Sequence, residues 1–293
     1  ISNIIFTFRK ISLNTLLKDI FFYQLKGENI NMRVLLTSIL VVLFSICQVN
    51  AAIVQGGISE STTMYNSGNK IIDKATKQPI ANARVSIPSK NYTTYTDNNG
   101  RFELRTRING PTILAVEKQN YKPFSVTITR NSSMQPFTLA IEKSNVFDIK
   151  IDSRLCHLGD NNYSGYSANA GQFKSVAIGP IYQKKFFISS SAITKQNYLV
   201  FGSIIGIDTA LARGMGQNQI SNAFASPPTV YLNGHKIAEI QINGDNQKIK
   251  LPKQLIRWNQ NNEIVIKAGR NLMQTAYVDY DDIEFMNLSV QTF

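Results

Sequence analysis

Histidine is nearly absent from this chain: 293 residues include two, beside two cysteines and one tryptophan. Metal-dependent hydrolysis needs ligands at fixed spacings, and neither His157 nor His235 stands in H-x-x-E or H-E-x-x-H. G-x-S-x-G, P-loop and Rossmann sequences are missing too, so no common hydrolase or nucleotide-dependent chemistry is written as a motif. A glycosidase requires only two suitably placed carboxylates, which spacing alone does not exclude; the reading is of a protein that is not an enzyme. Helical periodicity is scarce as well. Ala210-Leu211-Ala212-Arg213 begins a helical turn that Gly214 and Gly216 interrupt.

Acids are outnumbered, with 19 Asp and Glu against 31 Lys and Arg, a formal charge of +12. The cations are scattered, with no run beyond pairs such as Lys184-Lys185, and no nucleic-acid-binding signature accompanies them. Nucleic acid is therefore not the expected partner. Anionic envelope polymers or lipid head groups suit an exported basic protein better, with general solubility as the plainer reading.

Long apolar runs are also lacking. The stretch 34–46 follows Arg33 and precedes Val49-Asn50-Ala51, the order of a secretory signal, and is too short to span a membrane comfortably. Residues 32–51 are read as that signal, bacterial in style, with cleavage after Ala51 and a secreted or periplasmic product without a transmembrane helix. The first Met is Met32, and Lys26-Gly27-Glu28 back-translates to a purine-rich ribosome-binding sequence. Residues 1–31 are accordingly expected to be translated upstream DNA, the alternative being a membrane-active leader. Cleavage removes five Lys or Arg and two acids, leaving +9, and takes Cys47 away. Cys156 then stands alone, so no internal disulfide forms, and its apolar surroundings favour a buried thiol over a reactive one.

What the chain does have is alternation. Ile71, Ala83, Val85 and Ile87 are apolar at strand spacing, with turn chemistry at 77–79 and 97–100. Asp73, Thr76, Pro79, Ile80, Ala83, Val85, Thr96, Asp97, Gly100 and Phe102 fall on one pattern. It resembles that of the carboxypeptidase regulatory-like domain, a transthyretin-like β-sandwich. Two of its glycines are replaced by Asn69 and Lys77; Asn tolerates left-handed backbone and Lys much less, so the first turn is expected to differ. Asn120-Tyr121 stands where the family has Gly-Tyr, with Tyr121 as a packing residue. The resemblance implies an accessory, non-catalytic module over 69–143, preceded by a linker at 52–68.

Beyond the polar break at 142–145, nine short strand-like runs over 146–293 include 146–151, 173–178, 186–193 and 198–207. An Asn233-Gly234 hairpin follows them, with Asn262-Glu263-Ile264-Val265-Ile266 and a closing strand at 281–290. This half resembles galactose-binding-like jelly rolls. The fold class is thus all-β, two β-sandwich domains: a transthyretin or immunoglobulin-like sandwich, then a jelly roll.

Sugar recognition combines aromatic faces with amides and carboxylates. Asp160, Asn162, Tyr163 and Tyr166 have that composition within one loop, and Trp258 precedes a strand as a stacking platform. The alternatives are a surface turn with tyrosines packed back, and Trp258 as a lid over the core. The resemblance also implies a structural calcium with Asp281 as ligand; otherwise Asp279, Asp281 and Asp282 simply charge an exposed strand edge. No other cofactor is expected. The function expected is binding of a glycan or anionic envelope polymer, the alternative a structural or protein-docking module that engages envelope proteins.

Overall fold

The computed structural model describes residues 66–162, 166–167 and 173–293, which lie within one unit running from Thr63 to Phe293. The expected leader, signal and most of the linker lie outside them. The fold is all-β. Strand β1 (Asn66–Asp73) begins inside the segment read as linker and pairs with β4 (Arg101–Leu104) and, in parallel, with β7 (Thr138–Ile141). Facing this sheet is a second one, ordered β3-β2-β5-β6, made of β2 (Arg84–Ile87), β3 (Tyr92–Tyr95), β5 (Thr112–Glu117) and β6 (Phe124–Ile128). Ile71, Val85, Phe102, Leu114, Val116 and Ile141 fill the space between them.

The turn after β1 forms in spite of Lys77. Asp73 Oδ1 accepts from the amides of Ala75 and Thr76, at 2.8 and 2.9 Å, and Lys77 takes φ 61° where the pattern has glycine. The local hydrogen bonds hold a conformation that Lys alone disfavours. Asn69 is not left-handed; it lies within β1 and its Oδ1 accepts from Phe137 N. Asn120 does supply the left-handed residue, at φ 67°, and the Tyr121 hydroxyl donates to Asp73 Oδ2 at 2.8 Å.

The described residues of the second half form ten strands. One sheet is ordered β8-β17-β11-β16-β9, from β8 (Ile149–Asp152), β17 (Leu288–Thr292), β11 (Asn197–Ile205), β16 (Ile283–Met286) and β9 (Cys156–Leu158). Strand β14 (Gly244–Lys250) pairs with β11. The facing sheet is β10-β15-β12-β13: β10 (Ile181–Ile188), β15 (Gln260–Lys267), β12 (Thr229–Leu232) and β13 (His235–Glu239). Phe201, Phe285, Leu199, Leu232, Ile264 and Val290 form their shared core. The Asn233-Gly234 turn has φ of 50° and 87°, as a two-residue hairpin loop requires. The strand expected at 173–178 is absent; in that range the described residues are irregular.

The two pairs of sheets touch. Strand β5 is buried on both faces: Leu114 and Val116 point into their own sandwich, while Ile113 and Ala115 pack on Ile205 and Met286 of the second. Asp245 accepts from both the amide and the hydroxyl of Thr127, at 2.9 and 2.8 Å, and from Ser203 Oγ at 2.7 Å. Gly202 lies at the closest approach, where a Cβ would sit 2.4 Å from Ser125 Oγ and 2.7 Å from Asn287 Cβ.

Candidate binding site

Among the described residues, those expected to recognise sugar do not share a groove. Strand β10 pairs with β15 from Ile181↔Lys267 to Ile188↔Gln260, so the loop before Ile181 and the turn before Gln260 lie at opposite ends. Eight residues of strand separate them by about 25 Å. Trp258 sits at the far end, where the Asn259 amide donates to Ile188 O, and packs half-buried against the core as a lid. Tyr163 lies outside the described residues.

In the loop, Asp160 and Asn162 are spent on internal bonds. Asp160 accepts from the amides of Asn162 and Tyr280, and Asn162 Nδ2 donates to Asp279 Oδ1 at 2.8 Å and Tyr277 Oη at 3.1 Å. The Tyr166 carbonyl accepts from Asn271 Nδ2. These bonds tie the loop to residues 271–280 and make it a structural clasp.

Asp279, Asp281 and Asp282 do not charge an exposed edge, because all three are buried. Their partners are internal: Asp281 Oδ2 accepts from Asp208 N, and Asp282 Oδ1 accepts from Asn161 N and faces His157 Nε2. Burial, then the neighbouring Asp208, pushes the Asp281 carboxyl well above the usual carboxylate range. Burial and Asp160 raise Asp279 as well. Among the described residues no group of three or more His, Cys, Asp or Glu is arranged to hold a metal ion.

A cleft of about 580 Å³ lies where the two sandwiches meet. The second sandwich supplies its floor from β17. Leu288 and Val290 point into the core, so Asn287, Ser289 and Gln291 face the other way and line the cleft. Asn287, at φ 59° between β16 and β17, is buried with neither amide atom hydrogen-bonded, and Ser125 Oγ nearby is likewise unpartnered. The first sandwich contributes Arg84, Glu117, Lys118, Gln119 and Lys122.

The cleft's two carboxylates are committed to cations. Glu117 pairs with Arg84 at 3.2 Å across β2 and β5, and Asp148 lies 3.8 Å from Lys122, which also binds Glu142 at 2.7 Å. Lys118 Nζ donates to Ala81 O at 2.7 Å. The lining can therefore offer amides, hydroxyls and ammoniums to a polar ligand. Sequence reading missed this site because its floor alternates apolar and polar like any half-exposed strand; only the neighbouring sandwich turns the polar face into a wall.

The comparisons with known proteins separate the two halves. Residues 67–148 match the family model of the CarboxypepD_reg-like domain. That domain is a non-catalytic, regulatory one. The residues beyond it form a second β-rich domain. Solved structures of β-glucuronidase from Ruminococcus gnavus resemble half of the chain. Its apo form is 13% identical, covering 50% of this chain and 29% of that one at a TM-score of 0.28. Its complex with D-glucuronic acid is also 13% identical, with 50% and 30% covered and a TM-score of 0.28. This chain thus spans less than a third of those enzymes, and a likeness of this size says nothing of activity. No curated protein matches the chain.

Proposed function

We propose that this is an exported, non-catalytic binding protein of the bacterial envelope, secreted or periplasmic, whose inter-sandwich cleft takes a glycan or envelope polymer. The observation that carries this reading is the cleft's lining: Asn287, Ser289, Gln291 and Gln119 present hydrogen-bonding groups, while both carboxylates are tied up in ion pairs. Hydroxyl-rich ligands are recognised by such groups. Export rests on the signal-like residues 32–51. The second sandwich is read as a galactose-binding-like jelly roll, supported by its Asn-Gly hairpin and two facing sheets.

A polysaccharide pull-down with the exported chain tests the reading. Retention is expected, and Gln119→Ala with Gln291→Ala is expected to abolish it. Retention that survives both changes places the ligand elsewhere and sinks the assignment. The alternative, docking onto an envelope protein, is favoured by Val176, Ile178, Leu211, Met215, Leu272 and Val278, large apolar side chains exposed on two loops and the short helix Ala210–Gly214 of the second sandwich. Recovery of a protein by cross-linking, with no polysaccharide retained, would select it.

A further inference from the structure

We infer that the cleft's ligand is an acidic polysaccharide, and that it continues from the cleft across the outer face of the sheet formed by β8, β17, β11 and β14. The inference rests on reading the cleft as a glycan site and adds the ligand's charge and path.

Strand register places the residues. Ile149, Val290, Leu199 and Ile249 stand in one row across the four strands and pack against the core. The adjoining row, Lys150, Ser289, Val200 and Lys248, therefore faces away from it, as does the next, with Gln291, Tyr198 and Lys250. Lys150, Ser289 and Gln291 already line the cleft. On this face Ser289, Val200 and Gln291 are buried, and the way from the cleft to the exposed Lys248 and Lys250 leads over Tyr198 and the exposed Phe293 ring. From β8 to β14 is three strand spacings, about 14 Å, a span suited to several units of a polymer rather than to one small anion.

The charge on this path is not balanced from within. Lys122 is neutralised by Glu142 and Asp148, but Lys150, Lys248 and Lys250 are exposed and have no carboxylate partner among the described residues. An aromatic pair fixes part of the array: Tyr198 meets Phe293 edge-on at 5.7 Å, and the Phe293 ring holds Lys248 Nζ at 4.1 Å and Lys122 Nζ at 5.2 Å from its centroid. Of these two ammoniums only Lys248 lacks a carboxylate, and an anion laid beside it supplies the counter-charge.

Pectate and fully methyl-esterified pectin share a backbone and differ in charge, so titrating the exported chain with each separates charge from glycan recognition. Pectate is expected to bind more tightly by about tenfold or more, with the advantage shrinking as salt screens the lysines. Lys248→Glu with Lys250→Glu, both outside the cleft, is expected to remove that advantage and leave the esterified polymer's binding unchanged. Lys150→Gln with Lys250→Gln, which leaves the Phe293 contact intact, is expected to act in the same direction should the charge reversal impair folding. Equal binding of the two pectins overturns the inference and leaves the cleft reading standing. Binding of neither removes both. Binding to phosphatidylglycerol vesicles without binding to pectate overturns the polysaccharide assignment in favour of a lipid surface.

Discussion

His157 and Asp282 face each other inside the second sandwich, with Nε2 2.8 Å from Oδ1 and neither side chain in contact with solvent. The other ring nitrogen lies 2.6 Å from Ser175 O, a carbonyl that only accepts, so Nδ1 carries a proton. Asp282 Oδ1 already accepts from Asn161 N, which leaves Nε2 as a donor too. The geometry is that of an imidazolium held against a carboxylate. Glu284 stands opposite His157 in the β9–β16 register, its Oε1 without a partner.

This cluster predicts the pH dependence of stability. Burial lowers the His157 pKa, but the Asp282 and Ser175 bonds outweigh it and raise the imidazole above its ordinary 6.5. Its stabilisation is therefore full below 6.5 and lost as pH rises through the raised value. Burial pushes Glu284 from 4.5 up to about 7, against the opposing effect of His157. The unfolded chain ionises this carboxyl first, so stability falls between those values, by on the order of 3 kcal/mol in all. Both groups have the same sign. Urea unfolding is expected to give a higher midpoint at about pH 5 than at about pH 8, with Glu284→Gln flattening the difference. A protein more stable at the higher pH contradicts this account of the cluster.

Gly202 sets how closely the sandwiches approach. A side chain there meets Ser125, Asn287 and the Met286 carbonyl, and backbone cannot yield as a flexible side chain does. Gly202→Val is expected to cost about 1–3 kcal/mol and to push the sandwiches apart. Differential hydrogen exchange should then show new exposure at Thr127 and Ser203, the Asp245 partners, while amides in β2 and β15 keep their protection. Unchanged exchange at Thr127 would show that this contact does not depend on Gly202.

The first sandwich was the more legible half, because its signals are local. Asp73 to Phe102 spell turns and alternating strands within about thirty residues, and even the substituted Lys77 kept the turn once Asp73 bonded the next amides. The site was not legible. Asn287, Ser289 and Lys150 come together through pairing between β8 and β17, and the cleft's other wall is Arg84 and Lys118. Composition misled at Asp160 and Asn162, whose polar groups close a loop, and at the three aspartates, whose charge suggested an edge but whose strand is covered.

Trp258 gives a direct contrast between the two kinds of residue. It packs on the core from the turn before β15, while the cleft floor is β17. Trp258→Ala is expected to destabilise by about 2–4 kcal/mol, somewhat less than a fully buried tryptophan, and to leave polysaccharide binding unchanged below the lowered unfolding temperature. Gln291→Ala should do the reverse, weakening binding with a small change in thermal midpoint. Loss of binding in folded Trp258→Ala would return the stacking platform to the tryptophan.

The environment of Cys156 decides between a structural and a redox role. The residue stands opposite Phe285 in the β9–β16 pairing and is buried in the second core. Burial, reinforced by Asp152, pushes the thiol up to about 11, so little thiolate forms at neutral pH. Since the thiolate is the reactive form, both access and ionisation oppose oxidation. In a Cys47→Ala background, Ellman's reagent is expected to leave the native protein unlabelled at neutral pH and to take up one equivalent on unfolding. Labelling should therefore follow the fraction unfolded across a urea titration. Rapid labelling of the native state, or a disulfide-linked dimer on a non-reducing gel, would instead make Cys156 an exposed point of attachment and the packing argument for it would fall.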